Sequence, residues 1–302
     1  MEDLLKLSDL TDKELFNILN LADQLKYEHK NDIGHKYLSG RTLGMIFQKS
    51  STRTRVSFES GMYQLGGNAL FLSAADLQIG RGELVQDTAR VLSRYIDGIM
   101  IRTFKQSEVE KLAEFSSVPV INGLTDYCHP CQVLADLMTI REYKGDLSGL
   151  KFTYVGDGNN MANSLTVGAL KAGMSVSLAC PEGFDPDPQV LEFAQAYKDR
   201  FELTRDPLKA AEGADAVYTD VWASMGQEQQ AAERRKVFEG KYQINDELMD
   251  RTNTGCIVLH CLPAHREEEI TAKVFEAHSE EIFNEAENRL HAQKAVLVTL
   301  MK

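Results

Sequence analysis

Two arginines within three residues, directly behind a short apolar run, are the first feature able to do chemistry: Phe47-Gln48-Lys49-Ser50-Ser51-Thr52-Arg53-Thr54-Arg55. The run before it, Leu43 to Phe47, reads as a buried strand, and the stretch from about Thr54 to Leu65 reads as a helix. The turn between them therefore sets free backbone N–H groups, the hydroxyls of Ser51, Thr52 and Thr54, and the Arg53 guanidinium at a helix N-terminus, which is a phosphate site. It lacks the Gly-x-x-x-x-Gly-Lys pattern, so it is not an ATP-type loop. Three more loops follow predicted strands: Arg102 after Ile99-Met100-Ile101, His129-Pro130-Cys131-Gln132 after Val120-Ile121, and His260-Cys261-Leu262-Pro263 after Val258-Leu259. Function collects at the carboxyl edge of an α/β sheet. Taken singly, Arg102 reads as a surface charge and His129 as a satisfied histidine; their common placement makes them candidates.

Two strand ends in the second half of the chain invite other chemistry. Gly156-Asp157-Gly158-Asn159-Asn160-Met161 imitates a dinucleotide fingerprint but carries Met161 where Gly or Ala is needed, which argues against a nicotinamide cofactor. The Asn159-Asn160 pair can instead offer amides to a carboxylate at a helix start. In Thr219-Asp220-Val221-Trp222-Ala223-Ser224-Met225-Gly226, a carboxylate and a hydroxyl end a strand before a glycine that can hinge a loop, and an amino group could pair with Asp220. Cys128-His129-Pro130-Cys131 is a CxxC at a helix start, but no second ligand pair with zinc spacing accompanies it. The five cysteines, an odd number, read as reduced thiols.

The elements that must position these residues alternate. A capping box, Thr11 with Glu14, opens a helix whose apolar face is Leu15, Ile18, Leu19, Ala22 and Leu25. Strand-like runs at 43–47, 69–72, 98–101 and 118–121 are then interleaved with helical patterns at 54–65, 85–95 and 109–115. A long helical pattern from Pro130 reads as a bridge, and a second series of strand-like runs follows at 152–155, 176–179, 216–219 and 256–259. Helices are expected after Asn160, near 190–197 and at 292–300. Short apolar runs alternating with helices mean parallel sheets covered on both faces. The expected fold is therefore α/β: two doubly wound parallel-sheet domains joined by bridging helices, with a ligand cleft between them.

Composition narrows the classes. The chain has 302 residues, 43% hydrophobic and 26% charged, which suits two domains of roughly 150 residues, each with its own core. A net charge of −12 opposes nucleic acid and acidic membranes, so an anionic ligand must be held by a local cluster of arginines and amides. No apolar run approaches the roughly 18 residues of a membrane span, and the acidic start Met1-Glu2-Asp3 lacks signal-peptide features, so the expected address is the cytoplasm.

Together these motifs resemble those of the carbamoyltransferases, in the order Ser51-Thr52-Arg53-Thr54-Arg55, His129-Pro130-Cys131-Gln132, Asp157-Gly158-Asn159-Asn160, Asp220-Val221-Trp222-Ala223-Ser224-Met225-Gly226, His260-Cys261-Leu262-Pro263 and Glu287-Asn288-Arg289. The resemblance runs from about Leu38 to the C-terminus and is strongest to the ornithine branch. It implies transfer of the carbamoyl group of carbamoyl phosphate to the δ-amine of L-ornithine, giving L-citrulline and phosphate without cofactor or metal, in arginine metabolism. It implies that Ser51, Thr52, Arg53 and Thr54 hold the phosphate and that Arg102, His129 and Gln132 contact the carbamoyl group. Arg102, His129 and Thr54 would stabilise a tetrahedral intermediate. Gln78 matches a family loop that reaches a neighbouring subunit's site, which implies a homotrimer or a multiple of trimers with shared active sites.

For the second substrate, the resemblance implies Asn160 on the α-carboxylate, Asp220 and Ser224 on the α-amine, a closing loop with Met225, and Cys261, Leu262 and Arg289 around the δ-amine. Asp220 and Cys261 are the candidates for helping that amine lose its proton. The implied domains are 1–132 with helix 289–302 for carbamoyl phosphate, 133–144 as the bridging helix, and 145–288 for ornithine. Two rivals, a nucleotide-dependent dehydrogenase and a silent binding protein, are disfavoured by Met161 and by the intact phosphate turn with His129.

Overall fold

Parallel strands cannot turn straight back on one another, so each needs a crossover, and here nearly every crossover is a helix. The computed structural model describes residues 1–78, 82–223 and 231–302. The chain divides into two compact units, Met1–Met138 with Glu287–Lys302, and Thr139–Ala286.

The first unit opens with helix α1 (Asp12–Lys30), where Thr11 Oγ1 accepts from the Glu14 amide at 3.2 Å and Glu14 reaches back to the Thr11 amide at 2.8 Å. Strands β1 (Thr42–Phe47), β2 (Asn68–Ser73), β3 (Gly98–Arg102) and β4 (Val120–Leu124) form a parallel sheet in the order β2-β1-β3-β4. Helices α2 (Thr52–Gln64), α3 (Val85–Leu92) and α4 (Gln106–Phe115) connect them. Under one face lie Ile46, Ile99, Ile101, Val109, Leu112 and Val120. The strand expected at 118–121 runs instead over Val120–Leu124, because Pro119 has no N–H to give the ladder; its carbonyl still accepts from the Ile99 amide at 2.8 Å. Outside β4, Leu4 continues the sheet, bonding the Val120 carbonyl and the Asn122 amide.

Helix α5 (Pro130–Lys144) contains the first boundary between the units. In the second unit, β5 (Lys151–Val155), β6 (Ser175–Ala179), β7 (Phe201–Thr204), β8 (Ala216–Thr219) and β9 (Ile257–His260) form a parallel sheet in the order β7-β6-β5-β8-β9. Helices α6 (Asn160–Lys171), α7 (Pro188–Gln195) and α8 (Pro207–Ala211) cross between strands, and α9 (Ala231–Phe238), α10 (Asp246–Met249) and α11 (Ala272–Ala277) complete the unit. The half-buried edge strand β7 and the short helices α8 to α11 were not expected from the sequence: Phe201-Glu202-Leu203-Thr204 is too brief for its alternation to stand out. The last helix, α12 (Ser279–Met301), starts well before the expected Ala292, and its polar first turns hide its onset.

In both sheets the strand order reverses once, between β1 and β3 and between β5 and β8. At such a reversal the following loops diverge and leave a crevice outside the carboxyl ends of the two strands.

Between α1 and α12 the first unit buries an unusual polar cluster. Lys26 donates to Asn288 Oδ1 at 2.7 Å, and the fully buried Lys294 donates to Gln64 Oε1 at 2.9 Å and lies 3.0 Å from His35 Nε2. Burial, then repulsion from Lys294 and Lys26, pushes His291 down to about 3. The unfolded chain takes up this proton near 6.5 whereas the folded chain refuses it, so the contribution is complete above pH 6.5 and is lost as pH falls toward 3. We expect His291→Gln to flatten the acid loss of stability in that window, by up to about 1.4 kcal/mol per pH unit in urea midpoints converted to free energy; an unchanged slope would remove His291 as its source.

Candidate active site

The phosphate turn is built as the sequence suggests. Ser51 is the N-cap of α2: its Oγ accepts from the Thr54 amide at 3.2 Å and contacts Thr54 Oγ1 at 3.1 Å. Thr52 and Arg53 stand exposed at the helix start while Thr54 is fully buried. Arg55 takes no part in the turn, since its guanidinium lies 3.8 Å above the Phe71 ring and bonds Glu59 at 3.0 Å.

Across the strand-order reversal, Arg102 ends β3, buried, with Nη1 3.5 Å from Thr54 Oγ1. A bulge sets this aim: Ile101 pairs with Asn122 but Arg102 pairs with Leu124, leaving Gly123 as the extra residue. A Cβ on Gly123 would lie 2.5 Å from Met100 Sδ, so only glycine fits the bulge as packed.

His129 and Gln132 sit at the start of α5, both buried. Gln132 Oε1 accepts from Arg289 Nη1 at 2.6 Å, and Gln132 Nε2 donates to Asp136 at 2.8 Å. Arg289 also donates to Thr54 Oγ1 at 3.2 Å, and Gln293, its amide oxygen turned toward the guanidinium, accepts from Arg289 Nη2 at 3.1 Å. Arg289, which the resemblance puts near the δ-amine, is a buried member of the first unit, bonded to Thr54 and to Gln132. One helix later in sequence says nothing of which side chains a residue will meet, and no local signal could have told.

Three guanidinium groups bear on His129. Burial first, then the guanidinium groups of Arg289, Arg102 and Arg53, hold His129 well below the ordinary imidazole range. His129 is therefore neutral at pH 7, able to donate one N–H without itself becoming a cation among three others. The nearby thiols behave oppositely to a redox pair: burial pushes Cys128 and Cys131 up to about 12. Cys128 is structural, accepting from Asn122 Nδ2 at 3.2 Å and facing the Leu5 carbonyl at 3.5 Å.

The second unit assembles its own group at its own reversal. Asn159, the N-cap of α6 behind β5, accepts from the Met161 and Ala162 amides at 2.9 and 3.2 Å. Its Nδ2 donates to Asp220 Oδ2 at 2.8 Å, behind β8. Asp220 Oδ1 accepts from the Val221 amide at 2.8 Å and from the Cys261 thiol at 3.1 Å, behind β9. Asn160 opens α6 half-buried, and Leu262 adopts a left-handed backbone, φ 58°. Gly158 is packed too closely for a side chain: a Cβ there would meet the backbone of Asp185 and Pro186 at 2.3 Å.

Three expected site residues remain. Gln78 is exposed, its carbonyl taking the Glu83 amide at 3.1 Å. Ser224 and Met225 lie outside the described residues. Sequence reasoning also passed over Arg234, Gln293, Glu269 and Glu285, since a polar side chain inside a helix or loop carries no mark of what it will meet. Arg234 donates to Asp157 Oδ2 at 2.6 Å and to the Trp222 carbonyl at 2.9 Å, tying the end of β5 to the chain behind β8. Burial raises the Asp157 carboxyl, and the Arg234 cation opposes that rise.

A hydroxyl-rich helix N-terminus beside a neutral histidine among arginines, and a separate carboxylate-amide group, are the two polar assemblies of the two parallel-sheet units. The family description "Aspartate/ornithine carbamoyltransferase, carbamoyl-P binding domain" matches residues 2–142, and "Aspartate/ornithine carbamoyltransferase, Asp/Orn binding domain" matches residues 148–300. The chain belongs to the aspartate/ornithine carbamoyltransferase family, and it is an enzyme of the carbamoyltransferase class. It is 57% identical to the ornithine carbamoyltransferase of Carboxydothermus hydrogenoformans, over 99% of this chain and 97% of that one. Its structure matches the ornithine carbamoyltransferase from Pyrococcus furiosus with a TM-score of 0.94 at 53% identity, covering 99% and 97% of the two chains. The enzyme of that name from Thermus thermophilus matches with a TM-score of 0.90 at 43% identity, over 100% and 99%.

The Arg234–Asp157 pair is a test of the second unit. Removing one partner of a buried pair leaves an uncompensated charge, so Arg234→Ala should cost about 3 to 5 kcal/mol in chemical denaturation; a loss near that of an exposed pair would show that the contact is solvent-screened.

Proposed function

We propose that this enzyme transfers the carbamoyl group of carbamoyl phosphate to the δ-amine of L-ornithine, releasing L-citrulline and phosphate, in the cytoplasm and within arginine metabolism. The convergence of Arg102 and Arg289 on the buried Thr54 hydroxyl, beside neutral His129, carries the first half of the reading. Ser51, Thr52, Arg53 and Thr54 hold the phosphate with hydroxyls, amides and the Arg53 guanidinium. Arg102, His129 and Gln132 orient the carbamoyl group, and Arg289, fixed through Gln132, adds a positive field behind it. As the amine attacks, charge develops on the carbamoyl oxygen, and Arg102, the His129 N–H and the Thr54 hydroxyl stabilise the tetrahedral intermediate. One such donor is worth roughly 3 to 4 kcal/mol elsewhere.

In the second unit, Asn160 takes the α-carboxylate, Asp220 with Ser224 takes the α-amine, and the loop with Met225 closes over the substrate. The carbonyls of Cys261 and Leu262 receive the δ-amine. Its reference pKa is about 10.4 if it resembles Lys, so the neutral nucleophile is scarce, and the Asp220–Cys261 pair assists its deprotonation. Asn159 supports this reading by holding Asp220 from the opposite side. The identity to enzymes named ornithine carbamoyltransferase supports ornithine over aspartate. Neither a cofactor nor a metal enters the mechanism: positioning of two bound substrates supplies much of the rate.

The proposed assembly is a homotrimer or a multiple of trimers, with Gln78 completing a neighbour's site. Strand β2 supports this, since it is a sheet edge whose Leu70 and Phe71 are about 40% exposed. An open apolar edge calls for a covering partner.

Two outcomes test these readings. Arg53→Ala should weaken carbamoyl phosphate by about 10- to 100-fold in calorimetry, the value of one charged hydrogen bond, whereas Asp220→Ala should keep carbamoyl phosphate binding and lose ornithine affinity and turnover; normal ornithine kinetics in the Asp220 variant would sink the assignment. Leu70→Asp should shift the sedimentation coefficient toward that of a monomer, and an unchanged assembly would move the interface elsewhere.

A further inference from the structure

The Cys261-Leu262 turn is held by a chain of groups that the proposed chemistry does not use. Leu262 has φ 58°, a left-handed conformation that a leucine rarely adopts and that its surroundings must impose. The Leu262 amide donates to His260 Nδ1 at 2.9 Å. With Nδ1 accepting, the imidazole proton belongs on Nε2, which lies 3.0 Å from Glu269 Oε1. The same Glu269 oxygen accepts from the His265 amide at 2.6 Å, so one buried carboxylate ties both ends of the 260–265 segment. The main chain of His260 is anchored independently: its amide donates to Glu285 Oε2 at 2.8 Å, and Glu285 Oε1 accepts from the Tyr218 hydroxyl at 3.2 Å. Imidazole and both carboxylates are fully or almost fully buried, where a hydrogen-bonded network is rigid.

We infer that Glu269 and the His260 imidazole are positioning residues for the amine-binding turn: the carboxylate fixes the Nε2–H tautomer, Nδ1 then holds the Leu262 amide, and the relay keeps the Cys261 thiol on Asp220. Neither group need touch a substrate. The inference rests on the proposed function for its kinetic consequence and on geometry alone for its structural one. A carboxylate is suited to the task because it accepts from two donors and prefers the protonated face of a neutral imidazole, which a hydroxyl in the same place would not enforce.

The test combines NMR of the imidazole nitrogens with steady-state kinetics on the full-length protein. In the parent, His260 shows the Nε2–H tautomer. In Glu269→Ala that signature is lost or mixed, kcat/KM for ornithine falls by on the order of 10- to 100-fold, and the carbamoyl phosphate KM is unchanged. Glu269→Gln keeps one acceptor and restores most of the ornithine efficiency. Should Glu269→Ala fail to fold, the histidine variants decide: Asn at 260 can place an oxygen near the Nδ1 position and Gln cannot, so H260N should retain more ornithine efficiency than H260Q. An unchanged tautomer in Glu269→Ala, equal losses for both substrates, or H260Q outperforming H260N overturns the relay. A parent enzyme that makes no citrulline from ornithine overturns the proposed substrate instead, and the tautomer comparison still decides the relay.

Discussion

A chain of net charge −12 can hold a dianion only where it concentrates cations against its own average field, and the first unit is arranged around that constraint. Arg102 and Arg289 are buried, and each reaches the same neutral hydroxyl, Thr54, from a different element. Burying guanidinium groups is costly unless each is bonded, so Gln132, Gln293 and Thr54 serve as their partners. None of those three partners carries a formal charge. A neutral acceptor satisfies a guanidinium donor without offsetting its charge, as a carboxylate would.

The same constraint explains the state of His129. A histidine surrounded by three guanidinium groups cannot also be a cation, and its depressed pKa is the consequence of burial reinforced by Arg289, Arg102 and Arg53. A neutral imidazole remains a hydrogen-bond donor over the physiological pH range, which suits the stabilisation of a developing oxyanion. The second unit answers a different demand with different chemistry. Asp220 is held by an amide, a backbone N–H and a thiol. Arg234 takes the neighbouring Asp157 instead, leaving Asp220 to Asn159 and Cys261.

Both groups stand where a parallel sheet reverses its strand order, β1 against β3 and β5 against β8. Parallel strands put all carboxyl ends on one edge, and the reversal sends successive loops in opposite directions. Residues far apart in sequence, such as Asn159 and Asp220, then meet without any special device. Fine adjustment falls to local irregularities: the bulge at Gly123 that aims Arg102, the close backbone approach at Gly158, and the left-handed Leu262. In each case a regular element would have pointed the functional group elsewhere.

Much of this was legible in the sequence, and the boundary has a physical origin. The alternation of short apolar runs with helical periodicity announces parallel sheets because burial on both faces leaves that mark on composition, and the capping box at Thr11 or the hydroxyl-rich turn at Ser51 are readable because their physics is local. The start of β4 was misjudged where Pro119 moved it and its end fell three residues short of Leu124, and β7 was missed because four half-buried residues carry too little periodicity. The partners of Arg289, Arg234, Glu269 and Glu285 were not legible at all. Their contacts depend on the folding together of distant segments, and a single charged residue in a helix or loop looks the same whether it meets water or a buried hydroxyl. Residue types and their order thus settled the fold class and the capped helix start at Ser51; only the tertiary structure decided which arginine faces Thr54 and which carboxylate holds His260, because those pairings are made by packing across the sheet edge rather than along the chain.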